Sequence, residues 1–374
     1  MYELIDEIEK TSIDIKEEAK LLNPKMNTII KCCSNLYCTE LKNFVQSFNF
    51  LFTKESANNS IEIIINDNVF LFEKAMNIIN LECFTETAAI KKFNTATITT
   101  SFAKCTIDKM IYIIKCYDYF IYIFNKKTNK GYILIKCNKK AITMVNILLL
   151  TPYLMYGELF GIHGGLVSDG RNNILINNSS LGGKTTFAIL FATHKWNIIT
   201  EETTYITSSG IILPYNIRNY FNIRVGTYLA FKEYFITKGI IDDEFISMEV
   251  QNENQLFDFG KKRQISIDFD KLGTRINNTK MKLTHLLKVS IQKSQKFHIK
   301  KEPYFENTKP FLDLSLAPTV LLFQEILNFT IDDIEKRKLQ INNFLKDTEN
   351  YSIESGLDYK EKFDYLIKNI NIKK

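Results

Sequence analysis

The stretch ILINNSSLGGKTTFAIL, from Ile174 to Leu190, constrains the fold more than any other part of the chain. An apolar ILI, a polar run ending in Gly182-Gly183-Lys184-Thr185 and an apolar FAIL predict a strand that turns tightly into a helix. A turn of that kind presents unpaired backbone N–H groups at a helix N-terminus, where the dipole adds partial positive charge. Phosphate fits such a place. In the pattern G-x-x-x-x-G-K-[ST] the lysine reaches the outer phosphates and the hydroxyl after it ligates Mg²⁺. The residues that would line the nucleotide are therefore Asn178, Ser179, Ser180, Leu181, Gly182, Gly183, Lys184, Thr185 and Thr186. Asn178 stands where the first glycine belongs. Asparagine tolerates the left-handed backbone region best after glycine, so Asn178 can still make the turn. The competing reading is a purely structural loop.

The surroundings of this stretch favour the phosphate reading. Seven of the fourteen glycines fall between Gly157 and Gly183, which implies tight turns or close backbone approaches there. After the predicted helix Lys184 to Thr193, a strand from Trp196 to Thr200 ends at Glu201-Glu202. Two carboxylates at a strand end near a phosphate loop can divide labour, one accepting a hydroxyl proton and the other holding Mg²⁺. Taken alone they read equally as a solvated acidic pair. His163 lies in the glycine-rich segment Gly161 to Gly165. It can contact phosphate or orient a carboxylate, or simply be a hydrogen-bonded structural residue.

Composition narrows the class. The chain has 374 residues, 45% hydrophobic and 24% charged, as in ordinary globular proteins of two or three compact units. A net charge of +6 is spread along the chain, and a nucleic-acid partner is not expected because such binders concentrate their charge. The basic runs Lys261-Lys262-Arg263 and Lys293 to Lys301 read as solvated faces. Seven cysteines, none beyond Cys137, and no N-terminal secretion signal point to a reducing cytoplasm. The most apolar segment, Ile147 to Phe160, contains Pro152 and Glu158, is shorter than a bilayer span, and predicts a buried helix and no membrane.

Four regions emerge along the chain. Residues 1–58 read as a helical accessory segment, from the spacing of Leu4, Ile5, Ile8, Ala19 and Leu22. Residues 59–140 are β-rich: IEIII and VFLF around Asn66-Asp67-Asn68 read as strand, turn and strand, ATITTSF adds a β-like run, and Tyr119 to Cys137 reads as a hairpin. Residues 141–303 form the loop-bearing core, which opens with a helix from Ala141 to Leu159. Further strands are expected at Ile206 to Leu213, Gln264 to Phe269 and Lys282 to Ile291, and residues 304–374 form a helical tail.

Together, Gly161-Ile162-His163-Gly164-Gly165-Leu166-Val167, the loop ending at Thr185, and Trp196 to Glu202 resemble the HPr kinase/phosphorylase family. That family carries a histidine-containing strand, a G-x-S-G-x-G-K-[ST] loop and an Asp-Asp pair in this order. The match covers roughly residues 60 to 300, and it is strong only from 157 to 205. The preceding hairpin and helix look like family members that phosphorylate a serine of a precursor peptide in biosynthetic clusters. The resemblance implies an α/β fold with an α+β tendency, its mixed β-sheet related to phosphoenolpyruvate carboxykinase. It implies ATP and Mg²⁺ as cofactors and a peptide or small protein as phosphoryl acceptor. Hexamer-forming members leave a homo-oligomer within its scope. Position by position, Ser180, Gly183, Lys184 and Thr185 match the loop, His163 the histidine, and Glu201 and Glu202 the aspartates. Pro214, Arg218 and Arg224 match a proline-and-arginine stretch more loosely, either arginine being able to neutralise the transferred phosphoryl. Asn178 and Leu181 in place of glycines, and Glu-Glu in place of Asp-Asp, are departures.

These readings converge on a serine or other hydroxyl kinase in which Lys184 clamps phosphate. Thr185 and one glutamate, for which Glu202 stands, hold Mg²⁺, and the other glutamate takes the proton. The sequence does not say which glutamate does which. A nucleotide-binding scaffold without turnover and a small-molecule kinase are the alternatives.

Overall fold

The computed structural model describes the chain except residues 13, 23–26, 35–36, 52–59, 83–88, 92–96, 100–101, 117, 137, 156–157, 179–181, 219, 244–263, 277–278, 293–295, 303–333, 357 and 373–374. The chain is mixed α/β with both parallel and antiparallel strand pairs, and it divides into two compact units. The first comprises Met1–Glu158 with Ser315–Asp333, and the second Leu159–Leu314 with Ile334–Lys374.

Among the described residues, nine strands lie in the first unit: β1 (Glu17–Leu21), β2 (Asn27–Cys32), β3 (Ser60–Asn66), β4 (Ala89–Lys91), β5 (Thr97–Thr99), β6 (Phe102–Ile107), β7 (Ile111–Cys116), β8 (Phe120–Asn125) and β9 (Lys130–Ile135). Seven form one sheet in the order β1-β2-β3-β9-β8-β7-β6, and β4 pairs β5 separately. The expected hairpin is β8–β9, and its left-handed turn residue is Asn129. The helical reading of residues 1–58 is corrected: helices α1 (Tyr2–Thr11) and α2 (Cys38–Leu51) bracket β1 and β2. In β1, EEAKL alternates exposed and partly buried positions, the pattern of an edge strand. VFLF is also corrected, being the start of helix α3 (Val69–Glu82). The Asn68 Oδ1 accepts the Phe70 and Leu71 amides at 2.9 and 3.2 Å, an N-cap that outweighs β propensity. Leu71, Phe72, Ala75 and Ile79 then fall on one buried face. Helix α4 (Lys139–Met155) closes this unit, so the loop-bearing unit begins at Leu159 and not at 141, and the apolar run to Phe160 ends as strand.

In the second unit the strands are β10 (Leu159–Ser168), β11 (Asn173–Asn177), β12 (Asn197–Thr200), β13 (Thr203–Thr207), β14 (Ile211–Leu213), β15 (Tyr220–Arg224), β16 (Gln264–Asp268), β17 (Met281–Lys282), β18 (His285–Ile291), β19 (His298–Glu302) and β20 (Glu349–Ser355). The main sheet runs β17-β14-β13-β10-β11-β18-β20-β19, with β12 also on β10. β11, β18 and β20 are mutually parallel, and β10 is antiparallel to β11. The expected strand from 206 to 213 is two strands, because Gly210 turns the chain between β13 and β14. β20 corrects the helical reading of the tail, where Tyr351, Ile353 and Ser355 alternate inward between helices Ile334–Lys346 and Phe363–Asn369.

Both faces of this sheet are covered, as its parallel strands require. Phe160, Ile162, Leu166 and Leu175 pack with Ile341, Phe344 and Leu345 of helix Ile334–Lys346 on one face. Val167, Ile174 and Ile176 point the other way, against Phe187, Leu190 and Phe191 of helix α5 (Lys184–Thr193). Strand alternation fixes this assignment, since a one-residue slip would reverse every side chain. It also fixes where β11 ends, at Asn177, one residue before the loop.

Candidate functional site

Strand β10 sits at the centre of the site. On one edge it pairs with β11, Gly164 opposite Asn177, and the Asn177 Nδ2 donates to the His163 carbonyl at 2.6 Å. Along the other edge run β12 and β13, antiparallel, with Leu166 opposite Thr200 and His163 opposite Thr203. Between these registers Gly164 and Gly165 face the two-residue turn Glu201-Glu202. The glycines are there for closeness of approach. A Cβ on Gly165 would lie 2.9 Å from the Glu201 carbonyl, and one on Gly164 2.8 Å from the Ile176 carbonyl. The Gly164 amide donates to the Glu202 carbonyl at 3.0 Å. Buried Thr200 and Thr204 bond each other at 2.6 Å, and Thr204 donates to the Gly164 carbonyl at 3.0 Å. The end of β11 that leads into the loop and the acidic turn are thus fastened to neighbouring residues of one strand.

At the described ends of the loop, an asparagine side chain supplies the hydrogen bonds. Asn178 is not among the positive-φ residues, so the expectation that it turns the chain by backbone conformation is corrected. Its side chain acts instead. The Nδ2 donates to the Gly182 carbonyl at 3.1 Å and to the Val289 carbonyl, tying both sides of the loop to β18. The left-handed residue is Gly183, with φ of 99°, and a Cβ there would meet Ile291 at 2.6 Å. Gly183 precedes the first helical residue, Lys184, and its carbonyl accepts the Phe187 amide at 2.9 Å. Ser179, Ser180 and Leu181 lie outside the described residues.

Charge gathers across this strand end. The Lys184 Nζ donates to the Asn178 carbonyl at 2.9 Å. Burial lowers its pKa, and the nearby Glu202 and Glu201 charges oppose that shift. Burial likewise pushes the Glu201 carboxyl up to about 8, and Glu202 adds to the shift; Arg218, Lys184 and a hydrogen bond from Thr185 oppose it. The Glu201 Oε2 is buried with no hydrogen-bond partner. Glu202 forms an ion pair with Arg218, whose guanidinium lies 5.8 Å from the Tyr220 ring centroid. Lys184, Thr185, Glu201, Glu202 and Arg218 therefore share one electrostatic neighbourhood.

The sequence-predicted residues fall into place unevenly. Thr185 bonds Glu201, whereas Glu202 is held by Arg218. His163 is half-buried, with its backbone bonded between the two arms. Thr186 bonds the Thr227 hydroxyl at 2.8 Å on helix Val225–Ala230. Arg224 is the last residue of β15, immediately before that helix, and is not among the main influences on Glu201.

Asn216 was not legible in the sequence as part of this arrangement. It is buried, its Oδ1 accepts the Glu201 amide at 3.0 Å, and its Nδ2 donates to the Arg218 carbonyl. One side chain thereby couples the acidic turn to the arginine loop. Its only signal in the sequence is its place within LPYNIR, two residues before Arg218.

The residues present fit a magnesium–polyphosphate ligand. Among the described residues no group of three or more His, Cys, Asp or Glu is placed to hold a metal ion. Mg²⁺ needs no such cage, since one or two carboxylates with phosphate oxygens and water complete its shell. The orphaned, desolvated Glu201 Oε2 beside the Thr185 hydroxyl is the kind of acceptor that a divalent cation would satisfy. For the phosphates, the N-terminus of α5 and Lys184 provide the positive end. Among the described residues no helix is long and apolar enough to cross a membrane. No protein-family model matches the chain, and no curated protein matches it significantly.

Proposed function

We propose that this chain is an ATP- and Mg²⁺-dependent kinase of the HPr kinase type, moving a phosphoryl group onto a hydroxyl, a serine of a peptide or small protein being the acceptor class. The observation that carries this reading is the single neighbourhood of Lys184, Thr185, Glu201, Glu202 and Arg218 beside the end of β11 and the middle of β10. The mixed sheet with parallel β11, β18 and β20 and antiparallel β10 suits the fold that the resemblance implies. Lys184 and the α5 N-terminus hold the outer phosphates. Glu201 with Thr185 forms the metal-holding pair. When bound, magnesium supplies neutralisation of the phosphate charge. Glu202, half-buried beside Arg218, takes the proton of the incoming hydroxyl, and Arg218 balances charge on the group in transfer. Most of the catalysis is positioning and electrostatics.

The test is incubation with γ-labelled ATP, Mg²⁺ and a panel of serine-containing peptides. Label transfer by the wild type should fall roughly a hundredfold or more in Lys184→Ala; undiminished transfer by that variant overturns the assignment.

A nucleotide-holding scaffold is the second reading. It draws on the Lys184 ammonium resting on the Asn178 carbonyl and Glu202 being engaged by Arg218. It predicts stabilisation by nucleotide with no transfer to any acceptor.

A further inference from the structure

A second reactive cluster lies in the first unit. Cys32 closes β2, and Cys38 is the first residue of α2. Their Sγ atoms are 3.4 Å apart, with the Cys38 thiol donating to Cys32. Cys32 is fully buried, and its thiol also reaches the Ser34 carbonyl at 3.5 Å, whereas Cys38 is only partly buried. Ser34 lies between them in the sequence. Ser34 is buried, its Oγ accepts the Tyr37 amide at 3.1 Å, and it donates to Asp67 at 2.8 Å, so the approach of the two sulfurs is held by the fold. Cys33, the third thiol, turns away to the Ser12 carbonyl at 3.8 Å.

We propose that Cys32 and Cys38 are a redox-active dithiol, a modification site that closes to a disulfide with a peroxide as oxidant and reopens with a small thiol as reductant. The pair is asymmetric in the way such chemistry needs. Cys38, at the N-terminus of a fourteen-residue helix and open to solvent on one side, is the sulfur that a peroxide reaches. Cys32, whose thiol burial pushes well up, stays protonated until a partner is presented. In the first step the Cys38 thiolate attacks one peroxide oxygen. The O–O bond breaks, and with a proton from solvent the products are Cys38–SOH and water. In the second, the Cys32 sulfur attacks the Cys38 sulfur, hydroxide leaves, and the Cys32 thiol proton goes to it as water. Two thiols are oxidised by two electrons and one peroxide is reduced to two waters. A small thiol reverses the bond through a mixed disulfide. The closed form ties the end of β2 to the first turn of α2, whose Phe44 and Phe48 are buried.

The experiment uses the full chain treated with hydrogen peroxide, alkylated and digested with trypsin without reduction. All three thiols fall in the peptide from Cys32 to Lys42. That peptide should lose two hydrogens and escape alkylation at Cys32 and Cys38, regain both thiols on dithiothreitol, and behave identically in Cys33→Ser. In Cys38→Ser, with the wild-type circular dichroism spectrum confirming its fold, the two-hydrogen loss should vanish. Retention of both thiols throughout the peroxide titration, oxidation of Cys38 to sulfinic acid with no bond to Cys32, or a bond formed through Cys33, overturns the proposal. No nucleotide takes part, so the outcome is independent of the kinase reading.

Discussion

Two glutamates, one in each unit, show how differently the two sheets treat charge. Glu9, in the first unit, accepts a hydrogen bond from the Tyr132 hydroxyl at 2.6 Å and an ion pair from Lys130 at 2.9 Å, and these hold its carboxyl below the ordinary range. Glu201, in the second, is buried beside another carboxylate with one oxygen unpartnered, and its carboxyl is pushed up to about 8. The first arrangement is self-satisfied and stabilises the native state. The second costs stability once ionised, and a proton or a cationic ligand would relieve it. The difference is why the acidic turn is the candidate site and Glu9 is read as scaffold.

The sharpest break of this contrast is Glu201→Gln. A folded-state pKa raised from 4.5 toward 8 means that the native protein resists ionisation that the unfolded chain accepts. The Glu201 contribution is therefore fully present below about pH 4.5 and lost as pH rises through about 8. Urea unfolding at pH 6 and pH 9 should show the wild type losing, relative to Glu201→Gln, on the order of a few kcal/mol. Equal pH slopes for the two proteins would remove the desolvation account.

Gly165→Ala comes next. Its Cβ would press on the Glu201 carbonyl, so the acidic turn must move, at roughly 1–3 kcal/mol measured by thermal unfolding. Asn216→Ala leaves the buried Glu201 amide unmatched, at about 1–2 kcal/mol, with weakened nucleotide binding as the companion readout. Glu9→Gln should give the smallest effect and the opposite sign to Glu201→Gln. A depressed carboxylate pKa gives stability present above its unfolded value and lost on acidification, and at this partly exposed pair the change is under about 1 kcal/mol at neutral pH.

How much of this was legible follows from whether the controlling contacts are local. The strand, loop and α5 were readable because hydrophobic runs and a glycine before Lys184 act over a few residues, and the acidic turn followed from its place at the end of β12. α3 was misread because VFLF has β propensity, while the Asn68 cap that decides its state is a single hydrogen-bonding side chain. β1 and β20 escaped because each is a short, partly polar strand whose pattern makes sense only beside its sheet partner. Within the site, residue types were readable but pairings were not. Nothing in the sequence says that Thr185 bonds Glu201 and not Glu202, that Asn178 reaches Val289 across the loop, or that Asn216 bridges Glu201 and Arg218. Those bonds join segments brought together only by the register of β10, β11 and β18.

The central claim is that the loop at Lys184 and the Glu201–Glu202 turn together bind a magnesium polyphosphate. Calorimetric titration of ATP into wild type, Lys184→Ala and Glu201→Gln, each with Mg²⁺ and with a chelator, tests it directly. The account predicts that wild-type affinity falls at least about tenfold when Mg²⁺ is removed and by a similar factor in either variant, each such loss corresponding to about 1.4 kcal/mol. Binding that is indifferent to Lys184, Glu201 and Mg²⁺ alike would contradict it.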